Sequence, residues 1–123
     1  MGLDNFASRT PGDVSLTPGD ERAFAESGIE LCGGMFSDGV ASIRGKVYDL
    51  FVLEVAGESL CQEWIPPETM AEIAARLAEC DPDTATQGLD LTEHSTPTPD
   101  EIRDLQAFFN LCAQRGIGLI GWW

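Results

Sequence analysis

Basic residues are scarce in this sequence, and their scarcity limits the surfaces that the protein can bind. Lysine and arginine together number 7 against 21 aspartates and glutamates, and Lys46 is the only lysine. The formal net charge is −14 at pH 7. A field of this sign repels nucleic-acid phosphates and anionic lipid headgroups. We therefore predict no direct nucleic-acid binding and no membrane association, and we expect attraction to basic partners.

Long apolar runs and closely spaced cysteines are also missing. No stretch approaches the roughly 20 apolar residues of a membrane-spanning helix. No basic segment followed by an apolar run opens the chain, so we expect a cytoplasmic protein without a secretory leader. Zinc sites usually need close pairs such as C-x2-C, and none is present. We predict no metal site and four reduced thiols, those of Cys32, Cys61, Cys80 and Cys112.

Catalytic signatures are absent as well. The sequence contains no G-x-S-x-G, H-E-x-x-H or G-x-x-x-x-G-K-[ST] motif, and its glycine pairs lack the order of a dinucleotide site. A calcium loop beginning at Asp81 would need Gly and Glu where Thr86 and Thr92 stand. The single histidine, His94, lies in a polar segment typical of exposed residues; the alternative is a general base or a Cys–His nucleophile. We predict no cofactor, and binding is favoured over catalysis.

The sequence does contain enough apolar residues for one folded domain. It has 123 residues, of which 43% are hydrophobic, and this size and composition suffice for one buried core. Residues 1–16 mix glycine, proline and polar residues with scattered apolar ones, which predicts a loose segment. Residues 17–123 are predicted to form a single globular domain with a long polar loop at 81–98.

Capping chemistry predicts the first and last helices. Thr17 and Thr98 each precede a proline and an acidic first turn, and a glycine follows each helix at its end. A short strand is predicted after each helix, at residues 29–32 and 117–120. The likeness of the two helix–strand units indicates that these two strands could pair, although capping chemistry alone also produces such likeness.

The middle of the chain contains two further helices. Residues 40–56 carry apolar residues at helical spacing, although their β-branched and aromatic content also suits a strand. We predict a helix there, beginning at Asp38 or Ser42 and ending at Gly57. A second helix opens at Pro67, and its apolar stripe consists of Met70, Ile73, Ala74 and Leu77. The predicted fold is α+β and helix-rich, with about four helices packed on a small sheet of two or three short strands, including the C-terminal strand.

Negative charge is concentrated in the middle of the chain. Residues 47–104 hold 14 acidic residues against only two arginines, a net charge of −12. Three of the acids, Glu68, Glu72 and Glu79, fall on the polar face of the helix that follows the Pro-Pro pair. A solvated face that keeps the protein in solution is one interpretation. A surface that binds a basic partner is the other.

The tryptophans are candidate binding residues together with these glutamates. Trp64 precedes the Pro-Pro pair, and Trp122 and Trp123 are the last two residues of the sequence. An aromatic pair in that place either locks the final strand onto the core or presents an apolar anchor to a partner. Alternation along a strand predicts that one of the two lies in the core and the other in solvent.

Three functions are compatible with these features. The first is a small acidic protein-binding module of inhibitor or immunity type, which acts through a negative surface on a basic partner. The second is a small-molecule binding or accessory protein whose apolar pocket is lined by Trp64, Phe108, Phe109 and Trp122. The third is an enzyme that uses cysteine, carboxylate or His94 chemistry. We favour the first, because a strongly acidic stretch is accompanied by no catalytic motif.

Overall fold

The computed structural model of the protein describes residues 3–29, 31, 41–89, 91–92 and 96–123. In chain order, its elements are β1 (Asp4–Ser8), α1 (Pro18–Glu26), β2 (Ser42–Ile43), α2 (Gly45–Ala56), β3 (Trp64–Ile65), α3 (Pro67–Ala78), α4 (Pro99–Arg115) and β4 (Gly118–Trp122). Within this part of the chain, four helices pack on one antiparallel sheet of four strands, which confirms the predicted α+β class. The sheet is larger than the two or three strands predicted, because two-residue strands such as β2 and β3 leave no periodic pattern.

The first strand corrects the prediction of a loose segment over residues 1–16. Asp4–Ser8 form β1, which lies between β2 and β4 in the sheet and is buried along its whole length. Only Phe6 and Ala7 in this strand are apolar, so the segment shows no alternation. Its polar residues are buried because strands lie on both sides of it, and that neighbourhood is not encoded locally.

The possible pairing of residues 29–32 with residues 117–120 is not formed. The second strand exists as β4, but its two edges are occupied by β1 and β3. Ile29 and Leu31 belong to no strand, while residues 30 and 32 lie outside the described residues. The likeness of the two helix–strand units therefore reflects shared capping chemistry and not a shared sheet position.

The predicted starts of α1, α3 and α4 and the predicted end of α4 are confirmed. The Thr17 hydroxyl accepts a hydrogen bond from the Asp20 N–H at 3.1 Å, and that of Thr98 accepts one from the Glu101 N–H at 3.2 Å. Helices α1 and α4 therefore both begin with the reciprocal capping box. Gly116 ends α4 with φ +67°, in the left-handed region that glycine tolerates.

The predicted helix within residues 40–56 is present as Gly45–Ala56, but it starts later than Asp38 or Ser42. Ser42–Ile43 form β2, which pairs with β1, and α2 begins at Gly45. The N–H of Lys46 donates to the Leu3 carbonyl at 3.0 Å. The backbone of Leu3, just before β1, thus takes the place of a capping side chain, which explains why the sequence carried no start signal there. Asp38 lies outside the described residues.

The main core lies between the helices and one face of the sheet. The predicted stripe of α3 is buried, with Met70, Ile73 and Leu77 at 0% exposure, and α3 packs along α4 and α2. Burying side chains of this size contributes about 1.5–3 kcal/mol each. On the sheet, alternate residues such as Ile65 and Leu119 face this core.

The opposite face of the sheet is set by the same register. Phe6 and Trp64 both lie across from Ile120, and Asp4 lies across from Trp122. Because side chains alternate along a strand, these residues share the face that points away from the main core. Phe6 and Ile120 are buried there, at 9% and 4% exposure. This face carries the two tryptophans of the sheet.

The polar segment predicted at 81–98 contains a series of turns over its described part. The N–H groups of Thr84 and Gln87 donate to the carbonyls of Asp81 and Thr84 at 3.0 Å each. Leu89 and Leu91 pack against the core. Among the described residues, no helix combines the length and the apolar character needed to cross a membrane.

Candidate functional site

The glutamates predicted as binding residues lie together on the outer face of α3. Glu68, Glu72 and Glu79 are exposed, and at 100° per residue they fall within about 40° of arc around the helix axis. Met70, Ile73 and Leu77 project to the opposite side, into the core. The spacing of these acids therefore places three carboxylates in one row, which we call the α3 acidic face.

Further acids lie where α4 meets the end of α3. The side-chain amide of Gln106 donates to the carbonyls of Leu77 and Cys80 at 2.7 and 3.0 Å, which fixes α4 against that end. Arg103 on α4 pairs with Asp100 at 2.9 Å and with Asp83 at 3.4 Å. These pairs are exposed, and such pairs contribute little to stability. One arginine shared by two carboxylates leaves a net negative charge at this end.

The described acids of residues 47–104 remain in contact with water. Every described aspartate and glutamate in this stretch is exposed or half-buried, and none is buried. Arg76 also lies on the outer side of α3 and is exposed. With 14 acids against two arginines in the stretch, cations of the same region cannot neutralise its charge.

The tryptophans at the end of β4 are more exposed than predicted. Trp122 is 61% exposed and Trp123 is 52% exposed, so the prediction that one of them lies in the core is wrong. The physical reason is that the sheet ends at Trp122, and Trp123 lies beyond the last paired residue. Leu119 and Ile120 attach the strand to the protein instead.

Trp64 is half-buried and lies against the sheet. A Cβ built on Gly118 would lie 2.7 Å from the Cζ2 atom of its indole, so the ring covers this glycine. Gly121 is equally crowded, because a Cβ there would collide with the carbonyl oxygen of Gln62. The two glycines of β4 thus allow the β3 segment to approach closely.

Two clefts adjoin the exposed tryptophans. Glu63, Gly121, Trp122 and Trp123 line a cleft of about 280 Å³. A neighbouring cleft of about 380 Å³ is lined by Leu3, Lys46, Asp49, Leu50, Cys61 and Trp123. Trp123 lines both clefts, the first together with Glu63 and the second together with the single lysine, Lys46.

The apolar pocket predicted from Trp64, Phe108, Phe109 and Trp122 is not formed. Phe108 and Phe109 are fully buried in the main core, where Phe108 contacts Phe24 and Phe109 at centroid distances of 5.5 and 5.7 Å. The two tryptophans lie on the other face of the sheet. Helical spacing placed the phenylalanines on an apolar face correctly, but it could not relate that face to the tryptophans.

Two of the described cysteines, Cys80 and Cys112, are poor candidates for nucleophilic chemistry. Burial raises the pKa of the Cys112 thiol far above its usual range, and it also raises the pKa of Cys80. Cys61 is exposed. Within the described ranges, no group of three cysteine, histidine or carboxylate side chains is arranged to hold a metal ion. His94, Cys32, Asp90 and Glu93 lie outside the described residues.

A buried carboxylate went unrecognised in the sequence. Asp20, predicted only as a first-turn acid, is fully buried and accepts hydrogen bonds from Arg9 at 2.6 and 2.8 Å and from Arg115 at 2.7 Å. These bonds, led by those from Arg9, hold the pKa of the Asp20 carboxyl far below its usual range. The cluster joins the end of β1, the start of α1 and the end of α4. Its members are far apart in the sequence, and no local pattern reveals them.

Comparison with known proteins adds no family to this description. No protein-family model, curated protein or solved structure matches the chain.

Proposed function

We propose that this protein is a small acidic binding module that takes a basic protein partner on its α3 acidic face. The observation that carries the proposal is the row of three exposed glutamates, Glu68, Glu72 and Glu79, on one side of a single helix. They belong to a stretch of net charge −12 in which no described acid is buried.

The electrostatics of such a row favour fast association. Successive glutamates along the row are separated by about 6 and 11 Å of helix rise, which is comparable with the Debye length of about 8 Å at physiological ionic strength. Their fields therefore overlap and add. A surface of this kind steers a basic protein toward it and raises the association rate more than the final affinity.

The experiment that tests the proposal compares two variants with equal charge change. In the first, Glu68, Glu72 and Glu79 are all replaced by Gln; in the second, the exposed acids Asp13, Glu21 and Glu26 become Asn, Gln and Gln. The immobilised protein is used to capture a partner from a lysate of the source cells. The purified partner's association rate is then measured for each variant at about 50 and 500 mM NaCl.

We expect the association rate of the unaltered protein to fall at least about tenfold at the higher salt concentration. The α3 variant should associate several-fold more slowly than the control variant at low salt. Capture that is indifferent to salt, or equal rates for the two variants, would contradict the proposal.

A further inference from the structure

One cleft of the protein is lined by two tryptophans and a glutamate. Trp122 and Trp123 are more than half exposed and, with Glu63 and Gly121, form its lining. Glu63 is exposed, and its carboxylate makes no ion pair or hydrogen bond with the described part of the chain. Both tryptophan side chains and the Glu63 side chain are thus exposed to solvent at this cleft.

These groups together recognise a planar cation. The face of an indole attracts cations, and arginine is the side chain most often found over it. A guanidinium group also matches the two oxygens of a carboxylate and is more weakly hydrated than an ammonium group. A cleft of about 280 Å³ lies below the usual size range of small-molecule pockets, so it fits a single side chain better than a metabolite.

We propose that this cleft binds the guanidinium group of an arginine side chain presented by the basic partner. The inference rests on the proposed function and adds a specific contact to it. Glu63 supplies the carboxylate, and the rings of Trp122 and Trp123 supply the aromatic faces. Glu63 immediately precedes β3, and β3 leads into α3, so five positions along the chain separate Glu63 from Glu68, the first residue of the α3 acidic face.

The backbone around the cleft is held in place before any ligand arrives. The N–H of Gly121 donates to the Glu63 carbonyl at 3.2 Å, and the carbonyl of Gln62 packs directly on Gly121. The Gln62 amide in turn donates to the Ser59 carbonyl at 2.7 Å. Preorganisation of this kind reduces the entropy lost when a ligand is bound.

The protein's own lysine does not serve as the ligand of this cleft. Lys46 is exposed, lines the second cleft, and makes no ion pair with Glu63. The carboxylate of that second cleft, Asp49, already accepts hydrogen bonds from the Leu60 N–H at 2.6 Å and from the Ser59 hydroxyl at 3.0 Å. The unpaired carboxylate near the tryptophans is therefore that of Glu63.

The test uses a small probe on the intact protein. N-acetyl-arginine methylamide is titrated into it, and the indole N–H resonances of the three tryptophans are followed by NMR after assignment with Trp122→Phe and Trp123→Phe. The neutral norleucine analogue is the matched ligand control. Glu63→Gln is compared with Glu54→Gln, which removes an equal charge from an exposed position on α2. Far-UV circular dichroism checks that each variant is folded.

We expect saturable shifts of the Trp122 and Trp123 resonances, with a dissociation constant on the order of a millimolar. Glu63→Gln should weaken arginine binding about five- to tenfold, and Glu54→Gln should change it less than about twofold. Norleucine shifts as large as those of arginine, or equal binding by the two variants, would overturn the inference.

The Gln triple variant of the α3 acidic face separates this inference from the proposed function. It should keep arginine binding within about threefold while losing fast partner association. Loss of arginine binding in Glu63→Gln without salt-dependent partner capture would leave the cleft proposal standing and remove the proposed function. Salt-dependent capture with no arginine shift at the tryptophans would remove the cleft proposal alone.

Discussion

At the scale of single residues, the Asp20 cluster has the largest energetic effect. Its carboxylate is fully buried, yet it accepts hydrogen bonds from Arg9, from Arg115 and from the Thr17 N–H. A buried charge without partners is very costly, whereas a fully bonded one is tolerated. The arginines are about one-third exposed, so they keep part of their hydration while they neutralise the carboxylate.

Replacing Asp20 with Asn should lower the free energy of unfolding at pH 7 by about 3 kcal/mol, because the two arginines lose their shared partner. The change is measured by urea denaturation. Asp13→Asn, an exposed substitution with equal charge change, should lie within about 0.5 kcal/mol of the unaltered protein. Equal stability of the two variants would show that the cluster contributes nothing to the fold.

The Asp20 cluster also predicts a pH dependence. The pKa of Asp20 is lower in the folded protein than its unfolded value of about 4. The stabilisation is therefore complete above about pH 4 and is lost as the pH falls toward the folded pKa. The stability difference between the unaltered protein and Asp20→Asn should shrink when unfolding is measured at pH 3 instead of pH 7. A difference independent of pH would contradict this assignment.

The cysteines should differ strongly in reactivity. Cys61 is exposed, whereas Cys112 is fully buried with a raised pKa, and the thiolate is the reactive form. Iodoacetamide at pH 8 should alkylate Cys61 within minutes and Cys112 only after denaturation. Mass spectrometry of proteolytic peptides identifies each site. Comparable labelling of both thiols in the native protein would refute the burial of Cys112.

At the scale of elements, the sequence predicted helices well and strands poorly. The side chains of Thr17 and Thr98 cap α1 and α4 through hydrogen bonds to residues only three positions along the chain. The sequence pattern that predicts these helix starts is therefore local. The buried stripe of α3 follows from helical spacing alone. By contrast, Asp4–Ser8 owe their burial to β2 and β4, and no five-residue pattern can report partners that distant. The exposure of Trp122 and Trp123 depended on where pairing of β4 stops, which is again a non-local property.

The burial of β1 leads to a matched pair of substitutions. Ala7 is 1% exposed and faces the main core, whereas Val14 is 57% exposed. Both lie in residues 1–16, the segment for which the sequence predicts a loose structure. Ala7→Asp should abolish cooperative unfolding, since burying an unpaired carboxylate costs about as much as a small domain's whole stability. Val14→Asp should be nearly neutral. Thermal denaturation followed by circular dichroism distinguishes these outcomes, and two neutral variants would restore the prediction of a loose segment.

At the scale of the whole molecule, charge opposes folding. A net charge of −14 on 123 residues creates self-repulsion that is larger in the compact state. The acidic excess was evident from composition, and the α3 acidic face was predictable from helical spacing. The cleft at Trp122 could not be predicted from the sequence. Its lining residues Glu63, Trp122 and Trp123 come together only because β3 pairs with β4.

Screening of this repulsion by added salt should therefore stabilise the folded protein. We expect the midpoint of thermal unfolding to rise by several degrees between about 10 and 200 mM NaCl, because the Debye length falls over this range from about 30 Å to less than 10 Å. The Glu68, Glu72 and Glu79 to Gln triple variant should show a smaller rise. A midpoint that stays constant or falls with added salt would indicate that the acids do not repel one another appreciably.

The placement of β4 between β1 and β3 has a consequence during synthesis on the ribosome. β1 is made first among the strands, yet the neighbour that covers one of its edges is Gly118–Trp122. At translation rates of about 5–20 residues per second, β1 waits on the order of ten seconds for this neighbour. Until then, Phe6 and the open edge of β1 are exposed to chaperones and to other nascent chains.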